Sequence, residues 1–77
     1  MEAIQRVIDL LSEVGKIPPV TPDQDFYEAG FSSINALQLL MELESVFDVS
    51  IPDDRFIAAR SAASLRDLVV SLQQESA

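Results

Sequence analysis

The sequence predicts an all-α protein: a small four-helix bundle of three longer helices and one short, with a long first loop. Three observations carry this. Apolar residues recur at helical spacing in separated stretches, and no stretch alternates as a strand would. Glycine and proline break the pattern between those stretches, at Gly15, Pro18-Pro19, Pro22, Gly30 and Pro52. At 77 residues the chain has room for one core, so residues 1–77 read as a single domain.

The first helix is expected from Glu2 to Val14, with Ile4, Val7, Leu10, Leu11 and Val14 at helical spacing. Gly15 falls where a C-terminal cap belongs, and Pro18-Pro19 prevents the helix from resuming. A long connection to Phe31 follows. Loops of that length are functional or tied down by their own side chains, here Val20, Phe26 and Tyr27, and Thr21-Pro22-Asp23 suits a short helical turn.

The second helix is expected from Ser33 to Phe47, with Ser32 as the N-cap because its oxygen can accept an orphan backbone N–H. Ile51-Pro52 marks an extended step, and Asp53 to Arg60 a short helix. The last helix is expected to start at Ser64, with Asp67 completing a capping box. It would bury Leu65, Leu68, Val69 and Leu72, and residues Gln73 to Ala77 would fray.

The second helix carries more apolar residues than one core face needs. Leu39, Leu40, Leu43 and Phe47 form one stripe, and Ile34, Leu37 and Met41 form another, rotated around the cylinder. A small domain cannot easily bury both. The second stripe is therefore expected to be a partly exposed contact patch, for which an adaptable methionine is well suited, the alternative being a central helix covered on most sides. Glu44 and Asp48 stand near the helix C-terminus, where the macrodipole favours cations. Local rules broken beside an apolar patch point to selection for binding.

Charge points the same way. The net charge is −8, and all of the imbalance lies between Ile17 and Asp54, which hold eight acids and no Lys or Arg. Such a field disfavours nucleic acid and anionic membranes and favours a protein with a basic face. No apolar run has transmembrane length, and Met1-Glu2-Ala3 lacks the basic region of a signal peptide, so a cytoplasmic monomer is expected. Without cysteine or histidine there is no disulfide, no thiolate or imidazole metal ligand and no thiol nucleophile, and no metal site is expected.

Catalysis by the chain itself is not expected. Gly30-Phe31-Ser32-Ser33-Ile34 fails as a nucleophile elbow, which needs Gly-x-Ser-x-Gly and a histidine base. The carboxylates fall on a loop and a solvated face, without a cleft for acid–base work. A phosphodiester on Ser33 would instead lie at the positive end of the second helix, where anions are stabilised. A chain with no thiol of its own could then borrow one.

The stretch from Asp25 to Pro52 resembles the acyl carrier protein family, whose signature is Gly-x-Asp-Ser-Leu at the head of the second helix. Gly30, Phe31, Ser32, Ser33 and Ile34 match it in order, and Met41 to Pro52 match the family's Met-x-Leu-Glu-x-x-Phe-Asp-x-x-Ile-Pro. The resemblance implies a 4′-phosphopantetheine arm on Ser33, taken from coenzyme A by a magnesium-dependent phosphopantetheinyl transferase. It implies a carrier rather than an enzyme, holding acyl groups as thioesters for fatty acid, polyketide or related biosynthesis. The implied partner face is Ile34, Leu37, Gln38, Met41, Glu44 and Asp48. The implied partners are the transferase, an acyl- or aminoacyl-loading ligase, and downstream synthases or transferases with basic docking faces. Two positions depart from the pattern: Ser32 replaces the usual Asp, and Ile34 replaces Leu. The Ala-Gly-Phe-Ser-Ser form is also similar to discrete carriers loaded with amino acids by stand-alone ligases, so aminoacyl carriage is the alternative. Outside the family, the alternative is an acidic helical interaction domain in which Ser33 is part of a helix cap only.

Overall fold

The structure, a computed structural model, describes residues 2–75. Four α-helices follow one another: α1 (Ala3–Gly15), α2 (Ala36–Phe47), α3 (Asp53–Ala58) and α4 (Ala62–Glu75), with a 3₁₀ turn at Ser33–Asn35 leading into α2. The architecture is the expected three longer helices and one short. The core lies where α1, α2 and α4 face one another, and Val7, Leu11, Leu39, Leu43, Leu65 and Val69 are fully buried there. Burial of this kind supplies most of the stability of short helices, which are marginal alone.

α1 ends differently from the sequence expectation. Gly15 is its last helical residue, and the left-handed cap residue is Lys16, with φ 54°. Its N–H and that of Ile17 both return to the Ser12 carbonyl, while the Ser12 hydroxyl donates to the Ile17 carbonyl. Glycine is therefore not used at position 15 for its backbone freedom. A β-carbon there would lie 2.9 Å from Phe31 Cε2 and closer still to Cδ2.

The long loop is tied down by the side chains foreseen for it. Val20 and Phe26 are buried, and the rings of Phe26, Tyr27 and Phe31 pack together with centroids 4.6–5.9 Å apart. Thr21 to Gln24 form a single hydrogen-bonded turn, with Gln24 N–H donating to the Thr21 carbonyl at 3.2 Å. An isolated antiparallel bridge joins Asp25 to Ser61, and Phe26 N–H donates to the Arg60 carbonyl at 3.0 Å. That bridge explains why α3 stops at Ala58, two residues short of Arg60. Ala59 turns extended so that the Arg60 backbone can meet the loop.

α4 begins two residues earlier than expected, at Ala62. Ser61, rather than Ser64, supplies the capping oxygen and accepts the Ser64 N–H at 3.1 Å. The expected capping box does not form, because Ser64 lies inside the helix and Asp67 is then no longer three residues after the cap; Asp67 pairs with Arg66 at 2.7 Å. Instead of fraying from Gln73, α4 continues through Glu75. Gln73 Nε2 donates to the Phe47 carbonyl at 3.1 Å, and Glu75 lies 3.5 Å from Arg55. Residues 76 and 77 lie outside the described residues.

Candidate functional site

Gly30 to Ile34 approach α2 through three successive constraints. Gly30 has φ +113°, a value that side-chain-bearing residues rarely adopt. Phe31 then turns its ring into the core and donates its N–H to the Phe26 carbonyl at 2.9 Å. Ser32 stands in extended backbone as the cap, its hydroxyl oxygen accepting Ile34 N–H at 3.2 Å. The expected capping role of Ser32 is thus observed, although the helix opens with a 3₁₀ turn before α2 proper.

Ser33 is the first residue of that turn. It is exposed, and among the described residues no side chain is hydrogen-bonded to its hydroxyl. Its own carbonyl accepts Ala36 N–H, so the backbone is fixed while the side chain stays free. These residues fit a phosphodiester. The hydroxyl faces solvent, the neighbouring serine already occupies the capping position, and the α2 dipole presents its positive end. No acid occupies the first turn of α2 to oppose an anion there.

The second stripe of α2 is exposed as anticipated. Ile34 is 88% accessible, Leu37 66% and Met41 59%, whereas Leu39 and Leu43 are fully buried and Leu40 and Phe47 pack on the core's edge. Gln38 is exposed between the stripe residues. The two acids at the far end of α2 differ from one another. Asp48 is exposed and is the left-handed cap residue, φ 54°, a conformation Asp tolerates better than most side chains. Glu44 is half-buried, and its Oε2 accepts Ile51 N–H at 2.9 Å, which ties the segment after α2 back to the helix. Each acid therefore has a local structural reason at a place where the macrodipole disfavours it.

Two features were not foreseen. Ile57 on α3 is 68% accessible. The signal was available: Phe56 and Ile57 are adjacent on a short helix, and only one can face inward. The second is a cluster at the base of the loop. Arg60 Nε donates to Asp25 Oδ2 at 2.7 Å, and its guanidinium lies 4.7 Å from the Tyr27 ring centre. Asp25 Oδ1 meanwhile accepts the N–H groups of Tyr27 and Glu28 at 2.9 and 3.1 Å. The Arg60 bond, with those of Glu28 and Tyr27, outweighs partial desolvation and holds the Asp25 carboxyl below its ordinary pKa. Partial burial pushes the Tyr27 phenol up. None of the described helices is long and apolar enough to cross a membrane.

Comparison with known proteins agrees with this geometry. Residues 5–69 match the family model described as a phosphopantetheine attachment site. An aminoacyl carrier protein of Agrobacterium fabrum is 31% identical over 62 residues, covering 75% of this chain and 74% of that protein. The chloroplastic acyl carrier protein 1 of Spinacia oleracea is 27% identical over 79 residues, covering 99% of this chain but 57% of the spinach protein. Among solved structures, an extended docking-domain complex of the Pax NRPS superposes with a TM-score of 0.86 at 25% identity, covering 97% of this chain and 72% of that one. The chain belongs to the phosphopantetheine attachment family, whose members are carrier proteins bearing a covalent 4′-phosphopantetheine and not themselves enzymes.

Proposed function

We propose that Ser33 is the attachment residue and that the chain carries acyl groups for a biosynthetic pathway. One observation supports this above the others: an exposed hydroxyl on the 3₁₀ turn that leads into α2, followed by the exposed apolar side chains of Ile34 on that turn and of Leu37 and Met41 on α2. When bound, the arm supplies a terminal thiol that can hold an acyl group as a thioester. The chain's own residues do the rest. Gly30 and Phe31 set the entry of the backbone, Ser32 caps the turn, and Ser33 presents its oxygen to solvent. Ile34, Leu37, Gln38 and Met41 form the face a partner enzyme meets while it reaches the arm. Asp48, with the exposed Asp53 and Asp54 of the next segment, favours partners with Lys or Arg around their entrances.

Incubation with coenzyme A, magnesium and a broad-specificity transferase, read by intact mass, tests the reading. The chain should gain one arm. An unchanged mass would leave an acidic interaction domain. Aminoacyl carriage is the second reading, favoured by the 31% identity to the Agrobacterium fabrum aminoacyl carrier protein. Charging the arm-bearing protein with acyl-loading and amino-acid-loading ligases in parallel separates the two.

A further inference from the structure

We propose that Gly15, at the end of α1, is a positioning residue for the attachment serine; the inference rests on the assignment of Ser33. Glycine weakens a helix relative to alanine, and the left-handed cap conformation is taken by Lys16 rather than by Gly15. Backbone conformation therefore does not call for glycine here. The ring of Phe31 does. A β-carbon on residue 15 would meet Phe31 Cε2 at 2.9 Å, Cγ at 3.4 Å and Cδ2 closer than either.

That ring has nowhere to retreat. Phe31 is 3% accessible, its ring stands edge-on to Phe26 and Tyr27, and its N–H is fixed to the Phe26 carbonyl. A side chain at position 15 must displace either the end of α1 or the backbone of Phe31. On one side of Phe31, Gly30 at φ +113° is exposed, with Ile17 Cγ2 the atom nearest its β-carbon position, at an ordinary contact distance of 3.6 Å. On the other side, Ser32 and Ser33 follow at once. The shift therefore passes into the turn that presents the Ser33 hydroxyl. Group transfer is sensitive to such errors, because a misplacement of about 1 Å can cost on the order of 10²-fold in rate. The exposed stripe of α2 that would meet the transferase is not touched by this contact.

The test is a double-variant cycle on the 77-residue chain without its arm: Gly15→Ala, Phe31→Leu and the two combined. Steady-state transfer from coenzyme A, thermal melting and the amide NMR shifts of Ser32 to Ile34 are measured for each. Gly15→Ala should lower kcat by about 10- to 100-fold with KM little changed, and should move those amides. A purely structural role would instead reduce the folded fraction and raise apparent KM at unchanged kcat. Leucine at 31 can turn its methyls away from α1, so the combined variant should return kcat to within about threefold of Phe31→Leu alone, a small residual on the scale of geometric rate losses. Should Gly15→Ala fail to fold, the comparison between Phe31→Leu and the combined variant decides. An alanine that still lowers melting or kcat in that background overturns the proposal, as does a folded Gly15→Ala with wild-type kcat and unmoved amides. Peptide mapping of the wild-type product keeps the two claims apart. An arm found elsewhere than Ser33 removes the underlying assignment, whereas an arm on Ser33 with an indifferent Gly15 removes only this inference.

Discussion

Arg60 reaches across 35 residues of chain to place its Nε 2.7 Å from Asp25 Oδ2, closing the long loop onto the junction between α3 and α4. The bridge from Phe26 N–H to the Arg60 carbonyl and the guanidinium over Tyr27 reinforce the same closure. The turn that bears Ser33 therefore rests on a loop anchored on two sides, by Phe31 against α1 and by Asp25 against Arg60.

The ion pair makes a pH prediction. Because Arg60 is the main cause of the lowered Asp25 pKa, the pair contributes stability at neutral pH and ceases to do so as pH falls through that lowered value. Arg60 is exposed and Asp25 half-buried, so salt screens part of the effect. Asp25→Asn should melt below wild type at pH 7, and the gap should close as pH is taken below the ordinary aspartate value of 3.8. Thermal melts of both proteins across that range check it. A constant gap would assign the loss to the backbone bonds of Asp25 instead.

The two stripes of α2 should separate folding from docking. Leu43 is fully buried, so Leu43→Ala should cost about 2–5 kcal/mol. Met41 is 59% accessible, and Met41→Ala should stay within about 0.5 kcal/mol of wild type while slowing transfer to or from a partner enzyme. Denaturant unfolding and transfer rates measured on the same samples decide. Equal large losses of stability would make the second stripe core.

Glu44 and Asp48 should likewise diverge. Removing the Glu44 carboxylate forfeits a charge-assisted bond of about 1.5–3 kcal/mol to Ile51 N–H, offset by about 0.3–1 kcal/mol from relief of the helix end. Glu44→Ala should therefore destabilise by about 0.5–2.7 kcal/mol. Asp48→Asn keeps a side chain that tolerates φ 54° and should raise stability by about 0.3–1 kcal/mol through relief of the helix end, while slowing association with the transferase. Stopped-flow association at low and high salt reads the second effect, and a rate indifferent to both salt and substitution would reduce the acidic face to a solubility feature.

Much of this was legible in the sequence because it rests on local rules. The apolar spacing of α1, α2 and α4 set their buried faces, and the surplus of apolar residues on α2 gave the exposed stripe. Ser32 before an apolar run gave the cap. What escaped depends on contacts between distant residues. Gly15 reads as a cap until Phe31 is seen against it. Arg60 reads as the end of a short helix until its backbone is seen to bridge the loop, which ends α3 early and passes the capping of α4 to Ser61. Glu44 reads as a misplaced charge until the N–H of Ile51, seven residues on, is found beneath it.

The central claim is that Ser33, and not its neighbour, carries the arm. Among the described residues none is hydrogen-bonded to the exposed Ser33 hydroxyl, whereas the Ser32 oxygen accepts Ile34 N–H. The most direct measurement is transfer from coenzyme A to wild type, Ser32→Ala and Ser33→Ala, with the modified peptide mapped by mass spectrometry. Wild type should carry the arm on Ser33, Ser32→Ala should still accept it at a reduced rate, and Ser33→Ala should gain no mass. An arm that persists in Ser33→Ala and disappears in Ser32→Ala would contradict the account.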